Sequence, residues 1–304
     1  NMIDINEILT WLPFSPTLLT ALVFIVLGVL VKMAFFPVHG WLPNAYTYAP
    51  TATSCLVAPL MTKVSVYIMV RLGFNVFHAD MFWFEINSEL MVILSTIAII
   101  AGSIFALSQT NIKKMFTYLI VAEIGYMVGG IFMGNAMGLQ GAIYHILADG
   151  LMTSCLFLFL GCVIYKIGNA HLSSMTGLFR KMPFTMVGFI VGGFSMIGVP
   201  PTCGFFSKWF LISGAFQAGE YHFIIALLGS SLVNAILVFK IIEQAYFGDL
   251  SKDHHHEEDV KIEEAPLLML IPLYVVAASV IGLGLYNKEV VSKLISVFLQ
   301  TSLL

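Results

Sequence analysis

Gly198-Val199-Pro200-Pro201-Thr202-Cys203-Gly204-Phe205-Phe206-Ser207-Lys208 occupies the middle of an apolar stretch that runs from 183 to 217. A single crossing of the hydrocarbon core takes about 20 residues, so this stretch is too long for a plain span. Its glycine and paired prolines cannot continue a helix, and the expected result is two half-helices meeting within the membrane. Half-helix ends expose unpaired backbone groups that coordinate ions or water, and transporters place their sites there. Lys208 follows closely on that break. A lone ammonium in a bilayer core costs at least ~3 kcal/mol even on lenient insertion scales, so such residues line an internal or watery path. Lys32 and Lys63 share the setting, each in an apolar stretch a few residues from a proline. Together the three lysines point to an ion or proton pathway.

Composition agrees with a membrane setting. Of 304 residues, 59% are hydrophobic and only 10% charged, too little polar surface to cover a soluble globule. The net charge of -3 comes with no basic stripe interleaved with aromatics, so nucleic-acid binding is not supported. Cys55, Cys155, Cys162 and Cys203 lie in apolar segments without a CxxC pair. They suit small core positions rather than a disulfide framework, a zinc site or an iron–sulfur site. No GxGxxG, Walker, HExxH or Ser/His/Asp pattern is present. Neither a nucleotide site nor a hydrolytic centre is indicated, and no catalytic residue, cofactor or metal is expected.

Apolar stretches long enough to cross the bilayer fall at 15–37, 51–72, 89–108, 112–133, 138–165, 183–217, 221–246 and 266–286. The expected fold is all-α, a polytopic transmembrane helix bundle with broken helices. The tail from Lys288 to Leu304 is shorter and amphipathic, fit to lie at the interface or to begin another helix. If 15–37 crosses from one side to the other, Lys113, Lys114, Lys166, Arg180, Lys181, Lys252 and Lys261 share the far side, against Arg71, Lys288 and Lys293 on the near side. The positive-inside rule makes the far side cytoplasmic and puts the N-terminus outside. Asn1-Met2-Ile3-Asp4 lacks a charged n-region with a cleavage site and is not a signal peptide.

Several further residues carry the candidate chemistry. Lys63 lies about 12 residues, ~18 Å, into its span, too deep for easy reach to an interface. Pro59, one turn earlier, cannot donate to the Cys55 carbonyl, and this opens the helix locally. The static alternative is a lysine paired with a carboxylate. Lys32 stands beside the carbonyl that Pro37 frees at Met33, either as a relay group or snorkelling to the cytoplasmic interface. His145 and Asp149 are spaced i, i+4 on one helix face, as a titrating pair or as a structural hydrogen bond. Glu123 is a mid-span carboxylate, whose alternatives are a static ion pair or a contact with a partner subunit. Lys240, with Glu243 nearby, is close enough to a cytoplasmic end to snorkel. The run His254-His255-His256-Glu257-Glu258-Asp259 fits a solvated loop better than a metal site.

Lys32 through Pro50 (KMAFFPVHGWLPNAYTYAP), Leu60-Met61-Thr62-Lys63 and Gly204-Phe205-Phe206-Ser207-Lys208 resemble the proton-conducting antiporter-like subunits shared by Mrp-type cation/proton antiporters, respiratory complex I and membrane-bound hydrogenases. The wording from His39 to Tyr46 is most similar to the D subunit of Mrp antiporters. The resemblance implies an antiporter-like fold of about fourteen helices built on two inverted repeats, each with one broken helix and one key lysine. It implies that Lys32 is the lysine of the first broken helix and Lys63 the central lysine of the next, that His145 lies in the helix linking the half-channels, and that Lys208, on the second broken helix, is the exit. Residues 1–87 would then complete a first repeat, 88–247 form the second, 248–265 a cytoplasmic loop and 266–304 a C-terminal helix and tail, with upstream helices missing from these 304 residues. Asp149 stands where many relatives have a second histidine, and Thr153 where complex I relatives often carry a further lysine.

The function expected is proton translocation through Lys32, Lys63, Glu123, His145, Asp149, Lys208 and Lys240, as a subunit of a multisubunit Na⁺/proton antiporter in a prokaryotic plasma membrane. Its partners would be other membrane subunits, protons, Na⁺ and the lipid bilayer. The alternatives are a proton-pumping subunit of a complex I-like or hydrogenase complex, and a scaffold without transport of its own.

Overall fold

The computed structural model describes Glu7, Leu9 and residues 15–76, 88–247 and 262–295. The histidine run at 254–259, Lys252 and Lys261 lie outside the described residues. In chain order the main helices are α1 (Pro16–Met33), the short α2 (Trp41–Tyr48), α3 (Thr51–Asn75), α4 (Ser88–Leu107), α5 (Ile112–Phe132), α6 (Ala136–Ile167), α7 (Pro183–Ile197), α8 (Cys203–Ala218), α9 (Tyr221–Phe247) and α10 (Leu267–Leu285). Seven of them, all but α2, α7 and α8, are long and apolar enough to cross a membrane. The chain is thus an all-α, multi-pass bundle, with a helix for every apolar stretch read from the sequence.

α5 and α6 form its centre. Nearly every residue of α5 is buried, and α6 packs against α3, α5, α7, α8 and α10. α4 runs along α5, and α9 covers α4 and α7. This layering puts the polar residues of α5 and α6 in the interior, away from lipid.

The first break comes earlier than the sequence suggests. α1 stops at Met33 instead of reaching Pro37, because Ala34 adopts a left-handed φ of 59° and its N–H turns back to the Leu30 and Val31 carbonyls. Trp41 then donates its indole Nε1–H to the Val31 carbonyl at 2.9 Å. The His39-Gly40-Trp41 stretch is therefore the chain folding back to satisfy the end of α1. Lys113, read above as a cytoplasmic charge, is buried at the start of α5 and donates to the Ala49 carbonyl at 2.6 Å. That bond ties α5 to the turn between α2 and α3.

The second break lies where the prolines put it. Gly198 ends α7 with φ 96° and ψ 46°, a conformation open to glycine at little cost, and its N–H bonds to Phe194 and Ser195 carbonyls. α8 restarts at Cys203, and the Gly204 N–H donates to Ser195 Oγ at 3.2 Å. A Cβ on Gly204 would run into the Ser195 carbonyl oxygen, a backbone atom that cannot swing aside. Gly204→Ala is accordingly expected to lower stability by about 2–3 kcal/mol in detergent unfolding, by forcing the half-helices apart.

The far end of α7 is also held. Glu264 accepts hydrogen bonds from the Phe184 and Thr185 amides and from Thr185 Oγ1, the last at 2.7 Å. A carboxylate at a helix N-terminus is favoured by the orphan N–H groups and the helix dipole.

Candidate functional site

His145 and Asp149 are both fully buried on α6, one turn apart. They do not bond to each other: each faces a different helix. Asp149 Oδ2 lies 2.7 Å from Lys63 Nζ on α3. Thr153, a further turn along α6, donates to Asp149 Oδ1 at 2.6 Å and accepts from Lys63 at 3.5 Å. The lysine that the sequence placed deep in a span therefore has its counter-charge on the neighbouring helix.

The second pair lies on the other side of α6. His145 Nε2 stands 2.7 Å from Glu123 Oε2 on α5, and Nδ1 stands 2.9 Å from Ser207 Oγ on α8. Tyr126 presents its ring to the imidazole at a centroid distance of 5.3 Å. The other Glu123 oxygen accepts from Asn234 Nδ2 on α9 at 3.4 Å, and Asn234 donates as well to the Met196 carbonyl at 3.1 Å.

Met196 connects this pair to Lys208. Its carbonyl, at the last turn of α7, also accepts from Lys208 Nζ at 2.7 Å. The same ammonium donates to the Ile197 carbonyl at 3.4 Å and Ser231 Oγ at 3.0 Å, and lies 5.4 Å from the centre of the Tyr126 ring. Among the described residues no carboxylate contacts Lys208. The three protons of its ammonium are met instead by neutral oxygens, two of them at the negative end of the α7 dipole.

Taken in space, the row reads Lys63, Asp149, His145, Glu123 and Lys208. Every member is at least 95% buried. With His145 neutral and both carboxylates ionised, two positive and two negative charges balance, as an apolar interior requires. A cleft of about 530 Å³ between α3 and α6, lined in part by Pro59, Tyr67, Gly150 and Ser154, reaches Lys63 at one end of the row. Chemically, the row offers adjacent acids and bases, so that a proton can shift within each pair without leaving an isolated buried charge.

Two sequence candidates stand apart. Lys32, in the last turn of α1, and Lys240 on α9 are exposed on the bundle, and neither forms an ion pair among the described residues. Other contributors carried weaker sequence signals. Asn234 is a polar residue in mid-span, a signal present but unread. Ser207 stands in the stretch that carries the resemblance but, like Ser231, has no signal of its own, since helix hydroxyls ordinarily bond back to their own turn.

The model of the family described as NADH:quinone oxidoreductase/Mrp antiporter, TM, matches residues 1–234. The chain is 39% identical over 304 aligned positions to an NADH-quinone oxidoreductase subunit N of Desulforudis audaxviator, covering 97% of this chain and 60% of the relative. It is 31% identical to the D subunit of an Na(+)/H(+) antiporter from Bacillus subtilis, covering 82% and 52%. Among solved structures, a chain of the Mrp complex from Dietzia sp. superposes with a TM-score of 0.80 at 21% identity, covering 90% of this chain and 57% of that one. A chain of respiratory complex I from Thermus thermophilus gives 0.79 at 18% identity, covering 94% and 58%. The chain thus spans between 52% and 60% of the length of these relatives.

Proposed function

Because the chain belongs to the NADH:quinone oxidoreductase/Mrp antiporter transmembrane family, we propose that it carries protons across a membrane along Lys63, Asp149, His145, Glu123 and Lys208, as one subunit of a larger membrane complex. The observation that carries this reading is a single helix, α6, whose His145 and Asp149 bind opposite neighbours at 2.7 Å each. Two titratable pairs one turn apart can pass a proton by successive changes of protonation. A proton arriving at Asp149 releases Lys63 from its partner; a proton arriving at Glu123 or His145 alters the charge that faces Lys208. The carbonyl end of α7 keeps Lys208 ready to donate onward. Lys32 and Lys240, facing outward, join the path where a partner covers them. The basic residues between helices favour an orientation with the start of α1 outside the cell.

Coupling to Na⁺ is the reading suggested by the Mrp-like wording from His39 to Tyr46. A redox-driven complex I-like role is the second reading, favoured by the higher identity to the oxidoreductase relative, 39% against 31% for the antiporter relative. An imposed Na⁺ gradient that drives proton movement in vesicles supports the first; proton movement that follows only quinone-linked electron transfer supports the second.

The row itself is tested at its exit. In vesicles carrying the assembled complex, Lys208→Ala is expected to lower proton flux about tenfold, equivalent to ~1.4 kcal/mol on the limiting step, while Lys208→Arg keeps the charge and retains more of it. Flux unchanged in Lys208→Ala removes this residue from the path.

A further inference from the structure

Ser207 has one hydroxyl proton and two neighbours that can accept it. Its Oγ lies 2.9 Å from the Gly204 carbonyl, three residues back in α8, and 2.9 Å from His145 Nδ1. Ser207, His145 and Glu123 are all fully buried, so no bulk water replaces a bond that is lost. A carbonyl only accepts, whereas Nδ1 accepts when bare and donates when protonated.

The direction of the hydroxyl is therefore tied to the proton on the imidazole. With Glu123 ionised and His145 neutral, Nε2 carries the hydrogen and donates it across the 2.7 Å contact to Glu123. Nδ1 is then bare, and Ser207 turns its proton toward it. Glu123 Oε1 is the acceptor of Asn234 Nδ2; while it keeps that role, one more proton entering the pair yields either an imidazolium facing a carboxylate, or an Nδ1–H imidazole accepting from Glu123 protonated at Oε2. In both forms Nδ1 carries a hydrogen. Ser207 must then accept it and turn its own proton to the Gly204 carbonyl. One rotation of the hydroxyl accompanies each proton that enters or leaves.

We infer that Ser207 is a positioning residue of the proton path, a hydroxyl rotor that keeps His145 Nδ1 bonded in both protonation states of the His145–Glu123 pair. The inference rests on the relay proposed above. Its physical content is that the rotor removes the cost of an unpaired ring nitrogen at every hop, and that its neighbour in α8 is Lys208. Proton occupancy of the pair is thus registered on the helix that holds the exit lysine. The charged and titratable groups around His145 are Glu123 and Tyr126 on α5, Lys208 on α8 beside Ser207, and Asp149 on α6 itself, already paired with Lys63 on α3.

The test combines flux with a direct view of the ring. In the complex labelled with ¹⁵N-histidine, with His145 assigned from the loss of its signals in His145→Gln, solid-state NMR across a pH series reads which nitrogen bears the hydrogen. Wild type is expected to move from an Nε2–H imidazole to a form protonated at Nδ1 as pH falls. Ser207→Ala removes the partner of Nδ1 in both states, but a protonated Nδ1–H loses more than a bare nitrogen, so the same change should need a pH lower by that difference, about one unit. The acid limb of the flux profile should shift the same way. Ser207→Thr, which keeps the hydroxyl, should restore both. An unshifted ¹⁵N titration in a folded Ser207→Ala protein overturns the inference, whatever the flux. If Glu123→Gln leaves flux intact while Ser207→Ala still shifts the titration, the relay reading fails and takes Ser207's place in the path with it, while the coupling of the hydroxyl to ring protonation holds.

Discussion

Lys63→Ala is expected to bring proton flux to background and to weaken the fold at the same time. Among the described residues Asp149 would keep only the Thr153 hydroxyl as partner, in a site where Asp149 is fully buried. Removing one member of a buried ion pair costs ~3–5 kcal/mol, because the other is left uncompensated. A double variant separates the two effects. Lys63→Met with Asp149→Leu replaces the pair by apolar groups of similar size, an exchange that is often neutral or stabilising. It should recover most of the thermal stability in detergent and none of the flux. If flux returns with stability, the pair is a structural tie and the path runs elsewhere.

Glu123→Gln is expected to stop transport at a smaller cost to the fold. The amide has nearly the shape of the carboxylate, keeps an oxygen for Asn234 and can donate to His145 Nε2. The row loses one negative charge, so the cost should exceed one net hydrogen bond, about 1–3 kcal/mol, yet stay below that of Lys63→Ala, because Lys208 keeps its three neutral acceptors. The amide cannot take up a proton. Flux should drop at least ~100-fold, which corresponds to ~3 kcal/mol on the barrier. A folded variant with flux near the wild-type level would place Glu123 outside the path.

Much of this fold is legible in the sequence because the signals are local. Each span announces itself by length and hydropathy, and the break at Gly198-Val199-Pro200-Pro201 by chemistry that no helix tolerates. The end of α1 falls a few residues before the proline that signals it, since the left-handed turn lies on Ala34, which has no intrinsic preference for it. Of the site, the charged members are visible as expensive residues in apolar runs. Their pairing is not. The i, i+4 rule puts His145 and Asp149 on one face, yet it is silent on which neighbours face them, and those neighbours lie on helices distant in sequence. The outward placement of Lys32 and Lys240 is one of the two alternatives that their nearness to a span end leaves open. Periodicity cannot tell a lysine at the lipid-facing edge from one in the core.

α7 has the build of a fixed electrode. A carboxylate, Glu264, sits on its amino end, and the Lys208 ammonium on its carboxyl end. The two contacts differ in exposure: Glu264 is partly open to solvent, whereas Lys208 is 5% exposed. Dissolved salt screens charges in contact with solvent and leaves buried ones nearly untouched. Raising ionic strength is therefore expected to weaken the hold on the half-helix at its Glu264 end while the buried Lys208 contact keeps its strength.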